Sequence, residues 1–259
     1  MMGSMDSILD GRTALVTGGG RGLGLSMAEA VARAGAKVAL LDVRDEVRDA
    51  AAELAERTGA EVVGVTADVT DETSVEVALA EVSEVLGVVD ALVNAAGVAD
   101  TTSALEITPE RFRRVVDINL TGTFLVCRAF ARRLVAAGQP GSAVTIASMS
   151  GMRVNRPQDQ AAYNASKAGV AQLTKSLAVE WLPLGIRLNS ISPGYFASEQ
   201  TLEVPRDRPE QFAEWMAHTP AGRMGEPHEL GPLAVYLLSD ASAYVVGQSI
   251  VIDGGYTAL

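Results

Sequence analysis

Short apolar runs rich in β-branched residues alternate along the chain with longer Ala- and Leu-rich segments. The runs 13–17, 37–42, 61–66, 89–93, 143–147, 186–191 and 250–252 read as strands. Segments 22–34, 44–58, 72–86, 108–137 and 160–182 repeat their apolar positions every three or four residues, the period of an amphipathic helix. In the strands apolar residues follow one another rather than alternate with polar ones, as expected of strands covered on both faces. Such strands in alternation with helices predict an α/β fold, a parallel sheet between two helical layers. The last long helix carries a stripe through Val170, Leu173, Leu177 and Trp181, as a core-facing helix does.

No internal repeat or low-complexity linker interrupts this pattern. The first ten residues are expected to form a tail, and residues 11–259 one domain. Between about 194 and 226, prolines, Trp215 and mixed charges replace the periodic pattern, and this stretch is expected to be a substrate loop.

Composition narrows the possible chemistry. In 259 residues, 21 basic side chains face 32 acidic ones, a net charge of −11. That field disfavours nucleic acid and anionic membrane surfaces, so an anionic ligand must be held by local donors. Cys127 is the only cysteine, which excludes an intramolecular disulfide and a Cys-based zinc site. His218 and His228 are the only histidines, and both lie in a turn-rich stretch that suits surface roles. A zinc alcohol dehydrogenase is therefore excluded and a Ser-His-Asp hydrolase disfavoured; no metal is expected. The N-terminus shows no signal-peptide pattern, and Glu29, Arg33 and Lys37 interrupt the apolar stretches long before a membrane span is reached. A soluble cytoplasmic protein with a small-molecule substrate is expected.

The first strand runs into Thr17-Gly18-Gly19-Gly20-Arg21-Gly22-Leu23-Gly24. Glycines there allow a tight turn and close approach of backbone to a pyrophosphate, which then meets the free N–H groups opening the next helix. The spacing is one residue longer than the common dinucleotide fingerprint. Asp42 ends the second strand, 18 residues after Gly24. Its carboxylate can accept from both ribose hydroxyls of an adenosine and would repel a 2′-phosphate, which favours NAD over NADP. Arg21 and Arg44 pull toward a phosphate. After strand three, Asp68 and Val69 can meet the adenine edge or simply form a turn. After strand four, the small residues of Asn94-Ala95-Ala96-Gly97 let backbone approach a ribose, or make a tight turn.

Tyr163 and Lys167 stand four apart in a helical segment, on one face and about a turn from each other. A phenol ordinarily titrates near about 10. A cation about 4 Å away is worth on the order of 4 kcal/mol at an effective dielectric of about 20. That would bring the phenol down by up to roughly 3 pH units, close to neutrality. Ser148 ends the strand before this helix, and Asn119 lies in the run Asp117-Ile118-Asn119-Leu120.

With these motifs in order from about Arg12 to Tyr256, the chain resembles the short-chain dehydrogenase/reductase family. The resemblance implies a doubly wound, Rossmann-type sheet of about seven parallel strands, NAD(P)-linked alcohol–carbonyl chemistry without metal catalysis, and a homotetramer. It makes Tyr163 the acid/base that exchanges a proton with the substrate oxygen. Lys167 would lower the Tyr163 pKa and bond the nicotinamide ribose, Ser148 would orient the substrate oxygen, and Asn119 would hold a water linking Lys167 to solvent. Pro193-Gly194-Tyr195-Phe196-Ala197-Ser198 matches a cofactor-binding segment of the family, with Ser198 where the family usually has Thr; Pro193, Gly194, Phe196 and Ser198 are the positions carried over. Ser148 precedes Tyr163 by 15 positions where many members have 13, the spacing of Ser150; Ser148 is preferred because it directly ends the strand.

The runs Ser148-Met149-Ser150-Gly151 and Asn155-Arg156-Pro157-Gln158, with Trp215 and Asp253-Gly254-Gly255-Tyr256, resemble the sugar-alcohol branch, galactitol dehydrogenase in particular. Ser150 and Asn155 could then serve a second substrate hydroxyl, or merely cap their loop. A polyol or vicinal diol is the expected substrate class. A 3-oxoacyl-thioester reductase is the alternative, for which Arg111, Arg113 and Arg114 offer a local basic patch; a non-catalytic dinucleotide sensor is a third reading.

Overall fold

Within the first strand Ala14 and Val16 turn to one side while Leu15 turns to the other, and all three are fully buried, so helices must cover both faces. The computed structural model describes residues 7–198 and 201–259. Seven strands, β1 (Thr13–Thr17), β2 (Lys37–Asp42), β3 (Val62–Thr66), β4 (Ala91–Asn94), β5 (Gly141–Ile146), β6 (Ile186–Pro193) and β7 (Ser249–Ile252), form one sheet. All pairs are parallel, in the order β3-β2-β1-β4-β5-β6-β7. The order reverses between β1 and β4, and open α/β sheets bind ligands outside the carboxyl ends of the strands at such a point.

The helices are α1 (Gly22–Arg33), α2 (Val47–Thr58), α3 (Glu72–Leu86), α4 (Pro109–Val116), α5 (Gly122–Ala137), α6 (Ala161–Trp181), α7 (Glu203–Asp207), α8 (Pro209–Ala217) and α9 (Gly231–Leu238). Met27 and Val31 of α1, Leu54 of α2 and Leu237 of α9 pack with Val16, Leu40 and Val93 on one face. Leu79 of α3, Phe130 of α5 and Trp181 of α6 pack with Leu15, Leu41 and Leu92 on the other. This is a doubly wound Rossmann-type domain.

The structure departs from the sequence reading in three places. The segment 108–137, expected as one helix, is α4 and α5 joined by a wide π-turn at Asp117–Thr121 that carries Asn119. Helices α7, α8 and α9 were not anticipated, because Pro205 and Pro209 break the periodic pattern and α9 is short and almost uniformly apolar. The expected tail ends sooner than residue 10: Leu9 is fully buried in the core, and its N–H donates to the Ala34 carbonyl at 2.9 Å. Residues 1–6 lie outside the described residues.

Candidate active site

A cavity of about 970 Å³ opens at the carboxyl ends of the central strands. Its floor is the glycine turn between β1 and α1. A side chain at Gly24 would put Cβ 2.1 Å from the Gly18 carbonyl oxygen, and Gly18 itself (φ +61°) rests on Ala96, 3.0 Å from a would-be Cβ. Gly22 (φ +57°) faces open space. Bare backbone therefore lines the turn, and no side chain caps the N-terminus of α1. Its first N–H groups are available to an anion, which fits the pyrophosphate of a dinucleotide.

Asp42 closes one side. Its carboxylate accepts from the Gly20 and Arg44 N–H groups, each at 3.2 Å, and lies 3.5 Å from Arg44 Nε. A carboxylate has about four lone-pair sites, so acceptor capacity remains for ribose hydroxyls. Asp68 also borders the cavity; its Oδ1 accepts from Thr70 N–H and Oγ1 at 2.8 and 2.7 Å, while Asp71, not Asp68, caps α3. The cavity walls hold Gly18, Arg21, Gly22, Leu23, Gly24, Asp42, Asp68, Val69, Ala95, Gly97, Tyr163, Lys167 and Ser198 of the expected cofactor residues.

Four expected cofactor residues do not border it. Asn94 is buried structure: its Oδ1 accepts from Thr17 Oγ1 at 2.9 Å, and its Nδ2 donates to the Thr123 carbonyl at 3.0 Å. Thr17 Oγ1 in turn accepts from the N–H groups of Ala95 and Ala96 at 3.0 and 3.1 Å, turning the chain after β4 toward the cavity. Nothing in the sequence marked Thr17, which reads as an ordinary strand residue. Pro193 ends β6 opposite Ile252, Gly194 packs so tightly on Asp253 that a Cβ would lie 2.6 Å from its Cα, and Phe196 is buried. These three aim the chain toward Ser198 from behind the wall.

Of the expected catalytic residues, Tyr163 and Lys167 border the cavity, while Ser148 and Asn119 are buried and do not line it. Ser148 opens a tight turn, Met149–Gly151, with its Oγ accepting from Ser150 N–H at 3.1 Å, and its hydroxyl bonds the Tyr163 phenol. Lys167, on the same face of α6 and 4 % exposed, donates from Nζ to the Ile146 carbonyl at 2.7 Å. Asn119 is fully buried: Oδ1 accepts from Val98 N–H at 2.8 Å, and Nδ2 donates to the Val98 carbonyl and Ser166 Oγ, both at 2.9 Å. Gly97 fits between Asn119 and Lys167, since a Cβ there would lie 3.2 Å from Asn119 Oδ1 and 3.3 Å from Lys167 Nζ. Ser150 Oγ accepts instead from Gln160 Nε2 at 3.2 Å.

The electrostatics differ from the sequence expectation. Burial pushes the Tyr163 phenol up from its ordinary value, and the hydrogen bond from Ser148 pulls it back in part. Burial also brings the Lys167 ammonium down to about 8. Its Nζ sits 5.8 Å from the centre of the Tyr163 ring and is turned to Ile146. Lys167 therefore does not draw the phenol toward neutrality in this geometry. Loss of water leads both shifts, and neither group gains a compensating interaction from the other. One Lys167 N–H is used by Ile146; an ammonium has two more to offer a ligand hydroxyl.

The sequence also missed a polar and aromatic cluster beside this centre. The Tyr195 hydroxyl takes Asn155 Nδ2 at 3.3 Å and Gln158 Nε2 at 3.1 Å, and Trp215 Nε1 donates to Gln158 Oε1 at 2.9 Å. Tyr195 stacks on Trp215 with ring centres 4.0 Å apart. Gln158 and Tyr195 sit in loops and Trp215 on the short helix α8, so no period groups them, although each stood in a run that carried the family likeness.

Comparison with known proteins shows the family. A family model described as enoyl-(acyl carrier protein) reductase matches residues 18–257. Galactitol 2-dehydrogenase (L-tagatose-forming) of Cereibacter sphaeroides is 46 % identical over 250 residues, covering 96 % of each chain. D-arabinitol 2-dehydrogenase (ribulose-forming) of Candida tropicalis is 37 % identical over 262 residues, covering 96 % of this chain and 93 % of the other. A solved structure from Beutenbergia cavernae, described as a candidate NAD(P)-dependent gluconate 5-dehydrogenase with NADP bound at low occupancy, superposes with a TM-score of 0.91. It is 39 % identical and covers 99 % of this chain and 100 % of its own. The chain belongs to the short-chain dehydrogenase/reductase family and is an NAD(P)-dependent oxidoreductase acting on CH–OH groups.

Proposed function

We propose that the protein interconverts a secondary alcohol of a polyol or vicinal diol with the matching ketone, using NAD. The observation that carries this reading is the Tyr163–Lys167 pair on the wall of a cleft floored by the glycine turn, with Ser148 bonded to the Tyr163 phenol. The glycine turn and the N-terminus of α1 would hold the pyrophosphate, Asp42 the adenosine ribose, Asp68 and Val69 the adenine, Lys167 the nicotinamide ribose and Ser198 the carboxamide. A bound nicotinamide supplies or accepts the hydride.

Ser148 donates to the substrate oxygen and keeps it beside Tyr163. In oxidation, Tyr163 takes the hydroxyl proton through its phenolic oxygen; in reduction it returns a proton to the carbonyl oxygen. Lys167 keeps two N–H groups for the nicotinamide ribose, and Asn119 braces Val98 and Ser166 beside it. The 46 % identity to a galactitol 2-dehydrogenase supports the polyol class. Asp42 at the end of β2 supports NAD, although a relative that holds NADP keeps the choice open to experiment. An acyl-carrier-protein partner is less well served: Arg111 is engaged by Asp100 through two hydrogen bonds, at 2.9 and 3.0 Å, and Arg113 lies 3.8 Å from Glu110.

The test is a panel of sugar alcohols, diols and oxoacyl thioesters read by NADH absorbance, with wild type and Tyr163→Phe. Polyol-dependent NAD reduction is expected, lost in Tyr163→Phe while NAD still binds. Unchanged turnover in that variant would refute the mechanism, and turnover of thioesters alone would refute the substrate class.

A further inference from the structure

The basic patch that the sequence offers at Arg111, Arg113 and Arg114 comes apart in the structure. Asp100 engages Arg111 and Glu110 stands near Arg113, whereas Arg114 makes no hydrogen bond, ion pair or ring contact among the described residues. An unpaired arginine on open surface is ordinary. Arg114 instead stands on the wall of the cavity that the glycine turn floors.

Glu110, Arg113, Arg114, Asp117, Ile118 and Thr121 all border that cavity. Three or four apart, they form one face of α4 and the π-turn. Val115 is the one buried residue of α4, so this helix is a thin, mostly exposed wall. Gly122, next to Thr121, rests on Val69: a Cβ there would come within 2.9 Å of Val69 Cγ2. Asp68 and Val69 follow β3, and Asp42 ends β2, which makes this side of the cleft the adenosine half. The face that carries Arg114 runs alongside that half.

The parts of a dinucleotide differ in what they still need there. The glycine turn and the start of α1 serve the pyrophosphate, and Asp42 serves the ribose. Asp68, Ala67 and Val69 offer adenine an edge contact and an apolar side, and leave its other face to α4. A guanidinium is planar, permanently charged and weakly hydrated, so it can lie flat on a purine where an ammonium cannot. We infer that Arg114 is a latch: its guanidinium stacks on the open face of the bound adenine and sets how long the dinucleotide stays. The inference rests on the adenosine placement proposed above and is independent of which alcohol is oxidised.

Contacts added within one interface act mainly on dissociation. The experiment therefore measures release of NADH and NADPH by stopped-flow fluorescence, with their Kd values, in wild type, Arg114→Ala and Arg114→Lys. Reduced nicotinamide mononucleotide, which lacks the adenosine, is the reference ligand. Arg114→Ala is expected to release NADH about fivefold faster, equivalent to about 1 kcal/mol, with Kd raised in step and binding of the mononucleotide unchanged. Arg114→Lys keeps the charge and loses the plane, and is expected to lie closer to Arg114→Ala than to wild type. The side chain is exposed and unpaired, so both variants are expected to fold as wild type does. Unchanged release in Arg114→Ala, full affinity in Arg114→Lys, an equal loss on the mononucleotide, or a loss confined to NADPH would each overturn the latch and leave the adenosine placement standing. A wild type that binds NADH no more tightly than the mononucleotide would end both.

Discussion

Gly151 rests on the backbone of Lys167: a Cβ at Gly151 would stand 2.7 Å from the Lys167 carbonyl carbon and 2.6 Å from Ala168 N. The turn that presents Ser148 is thus pressed against the helix that presents Tyr163 and Lys167. Only a residue without a side chain allows that approach, and through it the three chemical groups share one register.

Gly151→Ala must therefore part the turn from α6. Overpacking of this kind costs about 1–3 kcal/mol. The loss is expected in chemical denaturation, together with a fall in kcat larger than the change in NAD affinity. A kcat equal to wild type would show that the Ser148 turn need not touch the helix.

Lys167 titrates near 8 in the folded chain against an ordinary 10.5. Because the folded-state value is the lower one, the unfolded chain binds the extra proton between them. Stability contributed at this position is lowest below about pH 8 and rises with pH toward about 10. The unfolding free energy of wild type relative to Lys167→Met should shift in favour of wild type across that window, measured by urea titration at several pH values. A flat difference would mean that the amine is not desolvated.

Asn119 satisfies both backbone groups of Val98 and also bonds Ser166. Asn119→Ala strands buried polar groups that cost about 1–3 kcal/mol each when unpaired. A loss of about 2–4 kcal/mol in unfolding free energy is expected, with reduced turnover. A variant as stable as wild type would show that water replaces the amide.

Asp42→Ser removes the carboxylate that opposes a 2′-phosphate and releases Arg44 from it. The ratio of kcat/KM for NADP over NAD should rise by about tenfold or more, since each tenfold corresponds to about 1.4 kcal/mol. No change would place cofactor choice elsewhere in the cleft.

Helices α5 and α6 leave an apolar groove of about 620 Å³ lined by Phe124, Val135, Leu177, Trp181 and Leu184. Val135, Val179 and Leu184 beside it are 51 %, 74 % and 50 % exposed. Burial of this face between subunits is expected: light scattering should give a multimer for wild type and a smaller species for Val179→Glu combined with Leu184→Glu. A monomeric wild type would contradict it.

The glycine turn, the acid ending β2 and the Tyr163–Lys167 spacing were legible in the sequence because each is a local fact. A turn requires φ above zero within a few residues, and two side chains four apart on a helix share a face whatever surrounds them. The alternation of buried strands with amphipathic helices likewise settled the fold class, since burial on both faces leaves no polar alternate position.

What the tertiary structure decided depends on contacts between distant segments. Asn94 proved to be a buried brace between β1, β4 and α5, and the Tyr195 cluster joins residues 155, 158, 195, 215 and 256, which no local pattern connects. The proton affinities of Tyr163 and Lys167 belong to the same class. Spacing alone predicts an attraction between them, but the loss of water that leads both shifts is a property of the assembled core.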